Sequence, residues 1–457
     1  MSAIRGQQQT FLRLLAALRP HLRGEPTLPA RIQTLLARHK EFGSRDRRLY
    51  RELLYTTIRY LPWIEPALDT DQARAVKIVA WLAAETRDTA AFRTTLAGDW
   101  PAAPTLIERA RFLGADTALL LPDWVALECP AALEPNQLES LLTRASLWLR
   151  LQTDEAGRVA ADFEARGWHW KASGLLPNAW KLLVEADVTK SSSFEAGAVE
   201  IQDLGSQLVL ESIGINSGGH WLDACAGAGG KTLQLARLLG PSGTVDASDI
   251  RSAALDELVA RACRAARRPL PRPGRSPREV RGIPGSAAIR VVQPLALQAN
   301  GGALPPSSLT VAPDPASRAT CGLDALSPGL PATPSTTLYD GVLVDAPCSG
   351  SGTWRRSPHL KWSTTRETLA RHATLQLQLL EQHGARVRPG GRLVYATCSL
   401  ARTENQDVVT RFLTGHPEFE SAPFSRTHGF AADGPGLSIL PAQHDTDGFF
   451  VASLRRR

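Results

Sequence analysis

From residue 4 to about 128, apolar positions recur every three or four residues, the spacing of one helix face. Phe11, Leu14, Leu15 and Leu18 form one stripe, and Ile32, Leu35 and Leu36 form another. A third runs through Leu53, Leu54, Thr57, Ile58, Tyr60 and Leu61, with Ser44 as its expected N-cap. Beyond 129 the pattern changes: 147–151 reads as a strand, 155–166 as a helix, and 167–170 returns to extended chain. Residues 197–210 lead into 219–239, which reads as a buried strand, a glycine-rich turn and a helix with Leu233, Leu235, Leu238 and Leu239 on its apolar face. Further strands are expected at 243–250, 288–292, 342–344, 392–396 and 447–454, and helices at 252–264, 366–386 and 403–413. Strands alternating with helices predict an α/β fold built on a mostly parallel sheet.

The expected organisation is therefore an all-α region at 1–130, a small α/β linker module at 140–200, and a Rossmann-like α/β domain at 201–457. An insertion interrupts the last of these at about 269–337, where 13 Pro and 7 Gly fall within 69 residues, a composition that does not build a packed core. Charge sharpens the picture. The chain carries a formal +7, yet residues 1–60 hold 12 Lys/Arg against 4 Asp/Glu and residues 261–300 hold 9 against 1. Two basic stretches on an otherwise acidic chain suit a polyanionic partner, nucleic acid first, although a solvated basic surface has the same composition. Arginines 45, 47, 48 and 51 alternate with the apolar face of their helix and are expected to point outward, where guanidinium groups suit phosphate. The 6 cysteines form no CxxC pair, which argues against zinc ribbons and against a disulfide framework, so no metal is expected. The opening residues lack a signal-peptide core and no apolar run reaches membrane-spanning length, so a cytoplasmic setting without membrane attachment is expected.

The candidate chemistry gathers at predicted strand ends. The loop Cys225-Ala226-Gly227-Ala228-Gly229-Gly230-Lys231 precedes a helix, and small residues there let a ligand approach free backbone N–H groups. It is not a nucleotide P-loop, because Cys225 stands where the first glycine is required. It is not a dinucleotide fingerprint either, because Thr232 replaces the last glycine. Asp249, closing the next strand, is placed to accept ribose hydroxyls; the alternative is a cap for the helix that follows. Asp345-Ala346-Pro347-Cys348 and Thr397-Cys398-Ser399 end two later strands, the sheet edge at which open α/β folds bind ligands. Either cysteine alone reads as a small buried hydrophobe. Together they suit a thiolate nucleophile.

On these motifs, with Gln202-Asp203-Leu204-Gly205-Ser206-Gln207, the chain resembles the NOL1/NOP2/Sun family of RNA cytosine-5 methyltransferases over most of 197–457. The arginine-rich helix near Ser44 resembles the NusB-like RNA-binding domain of the bacterial 16S rRNA subgroup, and 145–200 resembles that subgroup's linker. The resemblance implies a class I methyltransferase domain, S-adenosylmethionine as cofactor, and RNA as partner, either 16S rRNA or a small-subunit assembly intermediate, acted on by a monomer. It implies that Cys398 attacks carbon 6 of cytosine, that Cys348 assists release, and that Asp345 holds the amide edge of the base beside the cofactor. Cys225, Ala226, Gly227, Ala228, Gly229, Gly230 and Lys231 would wrap the methionine and ribose part, and Asp249 the ribose hydroxyls. Gly227-Ala228 replaces the family's usual Ala-Pro. The acidic residue that ordinarily follows the third strand is absent, leaving Asp324 or Gln293 for that position. Action on tRNA, or a non-catalytic role in RNA binding or ribosome assembly, are the alternatives.

Overall fold

The computed structural model describes residues 2–269, 278–295 and 337–457, which form two compact units. The first contains the helical region up to Ala145 together with Gly350–Arg366. Its helices include Ser2–Leu18, Leu28–Arg38, Ser44–Arg59, Leu61–Thr70, Gln72–Leu82 and Pro135–Leu142. Phe11, Leu14, Leu15, Leu18, Ile32 and Leu36 are buried, as the helical periodicity predicts, whereas Leu35 is only half-buried. One capping expectation is corrected. Ser44 is the first helical residue and Gly43 the cap, and the Asp46 carboxylate accepts the Gly43 N–H at 3.2 Å, reaching back from the third helical position. Of the arginines in this helix, Arg45 and Arg48 are exposed and pair with Asp88, while Arg59 is buried and donates to the Arg355 carbonyl at 3.1 Å.

Gly350–Arg366 is bound tightly into this helical unit. The Lys361 ammonium is buried and donates to the carbonyls of Arg59 and Leu120 at 2.8 and 2.9 Å. Burial, with the Arg59 charge nearby, pushes its pKa well below the usual lysine range. The Trp362 indole donates to the Ile58 carbonyl at 2.7 Å, and Trp354 packs edge-on to Trp124.

The second unit carries two sheets. β1 (Leu147–Leu151), β2 (Trp170–Ala172), β3 (Ala179–Leu182) and β4 (Val199–Ile201) make an antiparallel sheet in the order β2-β3-β1-β4. Its core joins Leu149, Leu151, Trp180 and Val199 to Val159 and Phe163 of the helix Ala156–Ala165. The larger sheet contains β5 (Gly219–Asp223), β6 (Gly243–Ala247), β7 (Glu279–Val280), β8 (Ala288–Val291), β9 (Tyr339–Asp345), β10 (Val387–Thr397), β11 (Phe419–Ser421), β12 (Ala432–Asp433), β13 (Gly436–Ile439) and β14 (Phe449–Arg456). Its order is β12-β13-β14-β10-β9-β5-β6-β8-β7, with β11 paired to β14. The five central strands, β10-β9-β5-β6-β8, run parallel, and antiparallel strands extend both edges. This is a Rossmann-like sheet. The central strands read as almost continuous apolar runs because helices such as Gly230–Leu239, Ser252–Ala265 and Arg366–Gly384 accompany them.

Register fixes where the chemistry lies. Asp223 pairs with Leu343 of β9 and Ala247 of β6, and Ala396 of β10 pairs with Asp345. The carboxyl ends of β5, β6, β9 and β10 therefore share one edge. β10 begins earlier than its apolar run suggests, and the pairing shifts between Val387 and Arg392 where Gly390 takes φ 75°.

Candidate functional site

The glycine-rich loop joins β5 to the helix Gly230–Leu239. Gly229 caps that helix at φ 86°, and a Cβ there would stand 2.6 Å from Leu258 Cγ, so only glycine fits. Gly227 also has positive φ, and its N–H donates to Asp249 Oδ2 at 2.8 Å. The Ala226 N–H donates to the Ser248 carbonyl, and the Ala228 carbonyl accepts from Arg261, so both ends of the turn are anchored. Asp249 lies two residues beyond β6 rather than within it, and its carboxylate accepts the Arg251 N–H and guanidinium at 2.9–3.0 Å. Arg251 itself starts the following helix as its cap residue, so Asp249 stabilises the turn and is not the cap that the alternative reading made it.

Lys231 reaches across the strand ends to Asp345, Nζ to Oδ2 2.9 Å, and its ammonium lies 5.1 Å from the Phe449 ring centroid. Thr232 donates to Asp223 Oδ2 at 2.7 Å, while Asp223 Oδ1 is buried without a hydrogen-bond partner. Burial pushes the Asp223 carboxyl up to about 7; the Thr232 hydroxyl opposes this and the Asp345 charge adds to it. Burial, together with Asp249, Asp223 and Asp345, likewise pushes the Cys225 thiol well above its usual range. Such a shift disfavours the thiolate that a nucleophilic cysteine requires.

The two remaining site cysteines meet. Cys348 follows β9, Cys398 follows β10, and their sulfur atoms stand 3.4 Å apart. Cys348 is buried and Cys398 half-buried. The loops around them are fastened by hydrogen bonds. Thr397 donates to Asn405 Oδ1 at 2.6 Å, the Asn405 amide donates to the Ser399 carbonyl, and the Ser349 and Ser399 hydroxyls both donate to Glu404. The geometry thus gathers Cys225–Lys231, Asp249, Asp345, Cys348 and Cys398 along one sheet edge. Gln293 follows β8, half-buried. Asp324 lies outside the described residues. Two residues given no role from sequence stand in the same region: Asp223, which opens the glycine-rich motif and has an unpartnered oxygen, and Glu404, between the cysteine loops. A polar residue following Leu222 and a glutamate in an ordinary helix start give no signal of either role.

Among the described residues no cluster of His, Cys, Asp and Glu suits a metal ion, and no helix is long and apolar enough to cross a membrane.

A family model described as 16S rRNA methyltransferase RsmB/F matches residues 324–455. The chain is 30% identical over 350 residues to a probable ribosomal RNA small subunit methyltransferase B of Bacillus subtilis, covering 74% of this chain and 66% of that one. It is 29% identical over 273 residues to the probable ribosomal RNA small subunit methyltransferase B of Synechocystis, covering 59% and 50%. The match thus spans between half and two thirds of these relatives' length. In fold, it is similar to a methyltransferase homologue protein from Pyrococcus horikoshii (TM-score 0.53, 22% identity, 78% of this chain and all of that one). It is also similar to NSun6 from Pyrococcus horikoshii, solved with SFG (TM-score 0.51, 16% identity, 70% of this chain and 93% of that one).

Proposed function

The chain belongs to the NOL1/NOP2/Sun family of RNA methyltransferases, and from this we propose that it transfers a methyl group from S-adenosylmethionine to carbon 5 of a cytosine in RNA, with 16S rRNA or a small-subunit precursor as substrate. The observation that carries the reading is the pair of thiols, 3.4 Å apart at the ends of adjacent parallel strands, on the same sheet edge as a glycine loop that matches neither a P-loop nor a dinucleotide fingerprint. Pure RNA binding has no use for two such thiols.

The cytosine ring is a poor carbon nucleophile. Attack of the Cys398 sulfur on carbon 6 breaks the 5,6 double bond and makes carbon 5 electron-rich, the purpose of a covalent step. S-adenosylmethionine supplies the electrophilic methyl group. Transfer of the carbon 5 proton to the Cys348 sulfur as base then restores the double bond and expels the Cys398 thiolate, which is how Cys348 assists release. Asp345 binds the amide edge of the base, and Lys231 beside it holds its carboxylate in place. The base must leave any stack to enter.

The residues present fit the cofactor. The buried, unpartnered Asp223 Oδ1 offers an acceptor for its ammonium group, and the N–H groups of the helix start at Gly230 and Lys231 offer donors for its carboxylate. Asp249 would exchange the Arg251 guanidinium for the ribose hydroxyls, and Ile250, 61% exposed, offers apolar surface to the adenine. In the helical region, the exposed Arg45, Arg48 and Arg51 would contact RNA phosphates as in a NusB-like domain.

Purified protein given labelled S-adenosylmethionine and unmodified small-subunit rRNA, with tRNA alongside, should place label in 5-methylcytidine of the rRNA. Label in tRNA would keep the chemistry and change the substrate. Absence of both label and cofactor binding would overturn the proposal in favour of a non-catalytic RNA-binding protein.

A further inference from the structure

Glu404 is fully buried, in a short turn that follows β10, and it is hydrogen-bonded to both thiol loops. Its Oε1 accepts the Ser349 N–H at 2.8 Å and the Gln376 amide at 3.2 Å. Its Oε2 accepts the hydroxyls of Ser349 and Ser399, each at 2.5 Å. Ser349 is the residue after Cys348, and Ser399 the residue after Cys398. One carboxylate oxygen is therefore shared by the two loops whose sulfur atoms lie 3.4 Å apart. The surroundings fix the carboxylate in turn. The Tyr395 hydroxyl donates to the Glu404 carbonyl at 2.5 Å, Gln376 also donates to the Pro347 carbonyl at 2.9 Å, and His372 Nδ1 lies 3.3 Å from Oε1.

The residue type follows from the donors. A carboxylate only accepts, and with about four lone-pair sites it can receive all of these N–H and O–H groups at once. A glutamine of the same shape keeps one accepting oxygen and turns an NH2 group toward donors, which breaks the bridge at one loop. Burying a carboxylate is costly unless it is fully hydrogen-bonded, so this is an expensive way merely to close a turn.

We propose that Glu404 is the positioning residue that sets the separation of Cys348 and Cys398. The inference rests on the methyltransferase reading for its consequence in the reaction, since attack and release must both occur at one base, but its geometry stands apart from that reading. Glu404 acts through Ser349 and Ser399 and contacts no reacting atom.

Two measurements on the full-length chain test it, comparing wild type, Glu404→Gln and the double variant Ser349→Ala/Ser399→Ala. In the first, without RNA or cofactor, reduced protein is treated with diamide. The reagent takes up the two thiol hydrogens as the Cys348–Cys398 disulfide forms, and the linked peptides are followed by mass spectrometry. Wild type should cross-link readily and both variants about tenfold more slowly, since the thiols are no longer held in register. In the second, kcat for methyl transfer should fall about 100-fold in both variants, the cost of a thiol misplaced by about an ångström. KM for S-adenosylmethionine should stay within about a factor of two. The double variant keeps the glutamate, so it carries the test if Glu404→Gln does not fold. Cross-linking at the wild-type rate in the folded variants would overturn the proposal, as would a fall in cofactor affinity equal to the fall in kcat. Slower cross-linking in the variants, with no methyl transfer even by wild type, would uphold the positioning of the thiols and sink the methyltransferase reading instead.

Discussion

In the proposed mechanism Cys398 and Cys348 divide the chemistry between them, and single-residue changes test their separate roles. Cys398→Ala should reduce methyl transfer by about 10⁴-fold or more, as loss of a nucleophile does, while RNA retention on a filter stays near wild type. A variant with ordinary turnover would remove Cys398 from the attacking role. Cys348→Ala leaves attack intact but slows release, so a covalent protein–RNA band should accumulate on a denaturing gel with cofactor present; a gel without that band would count against the release role. Both thiols were legible in the sequence because each ends an apolar run readable as a strand, and strand ends in a parallel sheet converge. Their 3.4 Å separation was not legible, because it depends on the β9–β10 register and on Glu404 bridging from a third segment. Asp249 lies at the expected sheet edge but two residues beyond the strand it was expected to close, and its engagement by Arg251 was hidden, since a contact two residues along the chain leaves no periodic trace.

Elements with long apolar periodicity were legible, and most of the short ones were not. The central strands and the helices Gly230–Leu239, Ser252–Ala265 and Arg366–Gly384 stand close to where their patterns lie. β3, β4, β11, β12 and β13 span two to four residues each, too few for alternation to rise above chance, and tertiary pairing rather than local propensity defines them. The helix Ala156–Ala165 illustrates a tertiary tie of this kind. Asp162 on it accepts the Ser193 N–H at 2.9 Å, capping the distant turn Ser192–Glu195, and pairs with Arg166 at 3.0 Å. Burial raises the Asp162 carboxyl, but these bonds outweigh it and hold its pKa down to about 2. A depressed carboxyl stabilises the fold above the unfolded value of 3.8, and the stability is lost as pH falls through about 2. Asp162→Asn should therefore cost about 2 kcal/mol at pH 7 in urea denaturation, with about half of the difference left at about pH 3. An unchanged midpoint at pH 7 would show that the cap is replaceable.

At the scale of the whole molecule, chain order and unit membership part company. Gly350–Arg366 follows the Cys348 loop directly yet packs with the helices of the first unit, and nothing in its composition announces this. What joins it there is burial of groups that ordinarily seek water, and one of these is His359, 3% exposed. His383 of the second unit is 5% exposed. Burial pushes both imidazoles down to about 4; a hydrogen bond with the Pro26 backbone only partly opposes this at His359, and the Arg386 charge adds to it at His383. In the unfolded chain each histidine binds a proton near pH 6.5, whereas in the folded state it stays neutral down to about 4. The unfolded state therefore holds more protons across that window, so stability falls as pH drops through it and changes no further below about 4. Each histidine should contribute about 3 kcal/mol to this loss. Because one lies in each unit, acid should loosen both: hydrogen exchange compared at about pH 7 and pH 5 should show faster opening around Gly350–Arg366 and around Arg366–Gly384 alike, after correction for intrinsic rates. His359→Gln, which retains an N–H for the Pro26 carbonyl but does not titrate, should remove the acid-induced change in the first unit and leave that in the second. If the variant kept the full pH response around Gly350–Arg366, the acid sensitivity of that unit would have to arise from groups other than His359.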